Sequence, residues 1–199
     1  MRKIFRTSVC IAAIVLINSY CWAAESSTET EGGLCGVEVL AGFGTAQLDE
    51  KETYHPITVF VDFDFNLVPL TEKFNFTPPG LLQFTFEPFA SYSYQPESNG
   101  EIGNNFLIKI GFAPQTWRLQ PYFKGGLGML YLSQRTREQS TQFNFNEHAG
   151  LGFHYYFTDD KKLAFTTEYR YRHISNAGIK SPNSGIDTHY GICGLSYLF

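Results

Sequence analysis

The sequence predicts an all-β protein, an eight-stranded antiparallel up-and-down transmembrane β-barrel. Three observations carry this prediction. Apolar and polar residues alternate strictly through eight stretches of roughly ten residues, the length that crosses a bilayer at a tilt. The polar set is rich in Gly, Ser, Thr and Asn, and its acids (Glu38, Asp62, Asp64, Glu87) nearly balance its bases (Lys109, Arg118, Lys124, Arg170, Arg172), which suits a narrow hydrogen-bonded lumen. Connections differ by end. Residues 113–116 (APQT) and 158–161 (TDDK) read as tight turns, whereas 95–103, 132–142 and 175–186 read as longer polar loops.

The N-terminus is read first. Arg2, Lys3 and Arg6 precede an apolar run from Val9 to Ile17 and a small-residue site ending at Ala23, the pattern of a secretory signal peptide. Residues 1–23 are expected to be removed, leaving 24–199 as a single barrel domain in the outer membrane. Removal leaves twelve basic against nineteen acidic residues, a net charge of about −7. That charge excludes nucleic acid as a natural partner. Charged residues make up 17% and aromatics also 17%, a balance shifted toward apolar surface.

The strands follow in order. In 35–45 and 55–65 the odd positions are apolar (Cys35, Val37, Val39, Phe43; Ile57, Val59, Val61, Phe63). The parity then switches, with Phe84, Phe86, Ala90 and Tyr92 on one face, and Phe106, Ile108 and Ile110 in the next strand. Trp117, Leu119, Phe123, Leu127, Met129 and Tyr131 oppose Arg118, Gln120, Lys124 and Gly126. Phe143 to Phe157 and Leu163 to Tyr171 are again apolar at odd positions. The chain closes on Leu195, Tyr197 and Phe199 in phase, similar to the C-terminal signature of outer-membrane barrels. Segment 66–81, with Pro78 and Pro79, breaks the pattern as a long periplasmic connection. Cys35 and Cys193 fall on the lipid-facing set of the first and last strands, and the sequence leaves their pairing open. No zinc-like ligand spacing is present.

One stretch concentrates reactive side chains: YRHISNAGIKSPNSGIDTHYG, residues 171–191. His173 and Ser175 continue the odd, outward parity of strand seven, and Asp187 that of strand eight. The three side-chain types of a serine hydrolase are therefore expected outside the barrel, at the height of the outer-leaflet headgroups. Ionisable groups facing lipid are costly, which marks them as a functional site, and a site reached sideways from the bilayer implies a lipid substrate. Strands six and seven share the turn at 158–161, so paired residues sum to about 318 or 320. Glu147 then sits opposite Tyr171 or His173, either as part of the site or as a rim acid.

These residues carry a resemblance. HISNAGIKSPNSGID resembles the H-x-S-N-A-G…P-N-x-G-I-E stretch of the PagL family of outer-membrane lipid A 3-O-deacylases. The likeness runs back through Asn144-Phe145-Asn146-Glu147 and Gly125-Gly126-Leu127-Gly128 to about Pro121, the C-terminal half of the mature chain. It implies a lipid-facing triad that hydrolyses the ester-linked acyl chain at the 3-position of lipid A, with no cofactor and no metal. Ser175 is then the nucleophile, His173 its general base, and Asp187 the acid where the family has a glutamate. Glu147 is the rival acid. Asn176, Asn183 or the backbone N–H of Gly178 supply the oxyanion hole. The implied partner is lipid A or lipopolysaccharide, and a homodimer is left open. Two other classes stay in view: a structural or adhesive barrel that needs no triad, and a phospholipid hydrolase or acyltransferase of the same fold.

Overall fold

The computed structural model describes residues 33–48, 53–95, 97–133, 136 and 138–199. The expected signal peptide, 1–23, lies outside them. Eight strands, β1 (Leu34–Thr45), β2 (Pro56–Asn66), β3 (Leu82–Ser93), β4 (Asn99–Gly111), β5 (Leu119–Leu132), β6 (Phe143–Tyr156), β7 (Leu163–Ser175) and β8 (Ile186–Leu198), pair antiparallel with their sequence neighbours. β8 returns to β1, with Val39 opposite Leu195, so the barrel is closed and no strand edge is left unpaired.

Alternation decides which side chains face where. Val59, Ile102, Leu127, Leu151, Tyr169 and Leu195 are exposed on the outer wall, while Glu38, Asp62, Glu87, Lys109, Lys124 and Arg170 are buried within. An apolar exterior around a charged interior is stable only where the outside solvent is hydrocarbon. Aromatic side chains ring both ends, Phe112, Trp117, Phe157 and Phe199 at the short-turn end and Tyr92, Tyr94, Tyr131 and Phe143 at the other, as interfacial anchors do.

The lower lumen is bridged across strands by ion pairs. Lys109 donates to Glu38 and to Asp64 Oδ2 (2.7 Å), and Lys124 to Asp62 and to Glu87 Oε2 (3.1 Å). Arg170 donates to Glu168 and grips Glu87 with both terminal nitrogens, at 2.6 and 2.9 Å. Desolvating these charges is expensive, so each depends on its partner. The upper lumen differs from the uniformly polar interior that the sequence suggests. Leu40, Phe60, Phe89, Leu130, Ile174 and Ile192 fill it as an apolar plug. Arg170 lies over the Phe60 ring at 4.9 Å and Arg172 over Tyr190 at 5.1 Å, joining the two layers by cation–π contact.

Several expectations are corrected. β4 starts at Asn99, so the loop expected at 95–103 shrinks to 94–98. Its polar residues belong to the lumen: Glu101 accepts from Arg172 Nη1 at 2.6 Å. Arg118 does not enter the lumen but pairs with Asp159 at the short-turn rim. The 66–81 connection contains a short helix, α1 (Val68–Glu72), whose first N–H is capped by Asn66 Oδ1 at 3.0 Å. A β-bulge at Cys35 takes this residue out of the alternation, and its thiol donates to Asp64 O (3.3 Å) while accepting from the inward Gln83 (3.2 Å). Cys193 stands opposite Ala41, six residues along β1 or about 20 Å away, so the two thiols are free.

Candidate active site

The register of the last three strands sets one row across the outer wall. Glu147 on β6 pairs with His173 on β7, and His173 with Asp187 on β8. Of the two partners the sequence allows for Glu147, the structure selects His173. Side chains of directly paired residues lie ~5 Å apart at Cβ, within reach of a short acid. Ser175 follows two positions along β7 on the same face, opposite Phe145.

His173 Nδ1 donates to Asp187 Oδ1 at 2.5 Å. The pair sits on the outer surface, with side chains 31% and 59% exposed. This bond fixes the Nδ1–H tautomer and leaves Nε2 with its lone pair, the form a general base needs. Tyr171 Oη donates to the same Asp187 oxygen at 2.6 Å. Glu147 is exposed and its carboxylate makes no hydrogen bond among the described residues. Ser175 and His173 are brought to one face without a hydrogen bond between them.

A loop, 176–185, carries the other candidates, and it is tied from below. Asn183 Oδ1 accepts the backbone N–H of Asn176 at 2.8 Å, one residue after Ser175. Asn176 is buried and its side-chain amide donates to Lys180 O (2.7 Å) and Ser140 Oγ (3.3 Å), so its donors are spent on the loop. Gln139 donates to Ile174 O at 2.9 Å and Ser140 N–H to Pro182 O at 3.2 Å, which straps the β5–β6 loop to this one. Gly178 is exposed at φ 76° and Gly185 turns into β8 at φ 85°, backbone that L side chains resist. Gly185 does more than turn. A Cβ there would fall 2.5 Å from His173 Cε1 and 3.1 Å from Nε2, so the loop backbone is packed on the imidazole itself.

The sequence profile of the lipid A 3-O-deacylase (PagL) family matches residues 57–196. The chain belongs to this family. The match reaches back to β2, well beyond the C-terminal half in which the motif alone is legible. The lipid A deacylase PagL of Bordetella bronchiseptica is 36% identical over 81 residues, 39% of this chain. That match spans 40% of the Bordetella protein's length. Among solved structures, the outer-membrane enzyme PagL superposes with a TM-score of 0.59 at 19% identity, covering 79% of this chain and 97% of that one. Neisserial surface protein A gives 0.60 at 14% identity, over 82% of this chain and 96% of the other. At these identities both likenesses speak to the fold. This PagL-family chain is an eight-stranded outer-membrane barrel.

Two features of this PagL-family site escape sequence reading. Gly185 is one, because its closeness to His173 depends on how the loop folds back over β7. Tyr171 reads as one more apolar residue on the outer face, because its hydroxyl meets Asp187 only through the β7–β8 register. His189, two residues from Asp187 on the same face of β8, brings its Nδ1 to 2.7 Å from Tyr169 Oη.

Proposed function

We propose that this protein hydrolyses the ester-linked acyl chain at the 3-position of lipid A, using Ser175, His173 and Asp187 on the lipid-facing side of the barrel. The observation that carries the reading is the His173–Asp187 hydrogen bond on the outer face, one side-chain repeat below Ser175. Family membership supplies the substrate class.

In this mechanism Ser175 Oγ attacks the ester carbonyl carbon while its proton passes to His173 Nε2. Asp187 holds the ring and stabilises the imidazolium that results. The tetrahedral intermediate collapses by breaking the bond to the sugar 3-oxygen, which takes the proton back from Nε2. Water then repeats the sequence on the acyl-serine and releases the fatty acid. The Ser–His contact forms when substrate draws the two together, as hydrogen bonds of free active sites commonly tighten on binding. The negative oxygen of the intermediate is met by the Asn183 side-chain amide and the Gly178 N–H, neither of which is engaged as a donor among the described residues. Asn176 holds the loop instead.

A site open sideways to the bilayer accepts the acyl chain without extracting it from hydrocarbon, so no enclosed pocket is required. Mass spectrometry of lipid A incubated with the refolded barrel in detergent tests the reading. Loss of one hydroxyacyl chain with wild type, and none with Ser175→Ala, is expected. Unchanged lipid A with a correctly folded wild type, across several lipid A forms, overturns it.

A further inference from the structure

We propose that Tyr171 is a positioning residue that acts through Asp187 to hold His173 in its productive tautomer and orientation. This rests on the hydrolase reading above. The geometry lies in one oxygen. Asp187 Oδ1 accepts from His173 Nδ1 at 2.5 Å and from Tyr171 Oη at 2.6 Å.

An aspartate on the outside of a barrel has no wall to fix it. Asp187 is 59% exposed, and the outer face offers lipid and interfacial water rather than packed neighbours. With one hydrogen bond its carboxylate can swing about χ1 and χ2, and His173, itself part-exposed, would follow. In an enclosed active site, packing prevents this. Here a second donor does so, because two hydrogen bonds from different directions to one oxygen leave the carboxylate one orientation.

Tyr171 is suited to this task by its own supports. It lies two residues from His173 on the same face of β7, with Ala149 beside it on β6 and His189 on β8. The small Ala149 leaves its ring room on one side. On the other the His189 ring packs at 5.5 Å, and His189 is in turn fixed by Tyr169, whose hydroxyl shares a hydrogen bond with Nδ1 at 2.7 Å with the rings stacked. The ring of Tyr171 is therefore backed by His189 on one side before its hydroxyl is used. Phenylalanine can fill the same space, which separates the hydroxyl from the ring.

The test is Tyr171→Phe, read on three signals. The kcat on lipid A in mixed micelles and the rate at which a fluorophosphonate labels Ser175 are expected to fall about tenfold, the loss of one charge-assisted hydrogen bond, with KM unchanged. In an Asp187→Ala background the same substitution is expected to cost nothing further, since the effect runs through that carboxylate. By NMR of the histidine-labelled protein in micelles, the hydrogen-bonded Nδ1–H resonance of His173, assigned by its loss in His173→Gln, is expected to shift. A Tyr171→Phe protein as active as wild type, or one that loses the same factor without Asp187, overturns the proposal while leaving the hydrolase reading intact. A wild type that neither deacylates lipid A nor labels removes the hydrolase reading; the His173 resonance then decides the positioning role, shifted in its favour and unmoved against it.

Discussion

Gly185→Ala moves His173, the proposed general base, by adding one methyl group, and the size of the effect can be worked from the structure. The new Cβ would stand 2.5 Å from His173 Cε1, where ordinary contact is 3.4–4 Å. Either the imidazole or the loop must yield by roughly 1 Å, and a misplacement of that order costs about 10²-fold in rate. The left-handed backbone at φ 85° adds about 1–2 kcal/mol of strain, felt as stability. Gly178→Ala reports the strain alone in the unfolding assay. Its φ of 76° imposes the same strain, but nothing lies within 4 Å of the added methyl. Both variants are therefore expected to unfold at slightly lower urea, and Gly185→Ala also to lose lipid A hydrolysis by about 10²-fold. Initial rates in detergent micelles, with gel migration before and after heating as the check on folding, measure this. A Gly185→Ala protein within about threefold of wild type would refute the packing of this loop on His173 as the source of its placement.

Other perturbations follow from the same geometry. Asp187→Ala is expected to lower the deacylation rate by about 10²–10⁴-fold, whereas Glu147→Gln leaves it within about twofold, since only the former side chain bonds His173; equal losses would restore Glu147 as the orienting acid. Lys109→Met strands Glu38 and Asp64 in the lumen and is expected to destabilise the barrel by about 3–5 kcal/mol in urea unfolding; a loss under about 1 kcal/mol would mean the carboxylates find other partners. Leu151→Arg, midway along β6 and facing out, is expected to cost about 2–4 kcal/mol in a bilayer, and a neutral result would contradict a lipid-facing exterior.

How much of this was legible depends on which property of a strand is asked about. Parity was readable wherever apolar and polar residues alternate, because a side-chain period of two needs only the neighbours in sequence. Turn 158–161 was short enough to narrow the register to two choices, Glu147 opposite Tyr171 or His173, and the structure has the second. Where inner and outer residues are both apolar the period vanishes. Val39-Leu40-Ala41 and Met129-Leu130-Tyr131-Leu132 conceal the plug for that reason, since nothing in such runs distinguishes lumen from lipid. Glu101 was lost differently: its Asn- and Gly-rich surroundings have loop composition, yet pair with β3 because their polar side chains face a polar lumen. The motif pointed to His173, Ser175 and Asp187 as a set. The spacing between them on the wall, and the parts played by Gly185 and Tyr171, come from contacts between strands and a loop that no local pattern encodes.

The alternation that builds the wall also keeps two kinds of residue apart. Along β7, Arg170, Arg172 and Ile174 are committed to the interior, and Tyr171, His173 and Ser175 to the exterior. In an enzyme whose site is cut into its core, the groups that react must also pack, and improving one task tends to harm the other. Here two interleaved texts are written on one chain, read by different solvents. Damage to the outer one is expected to yield silent barrels that still insert and resist heat, and damage to the inner one to yield molecules that never present a site at all.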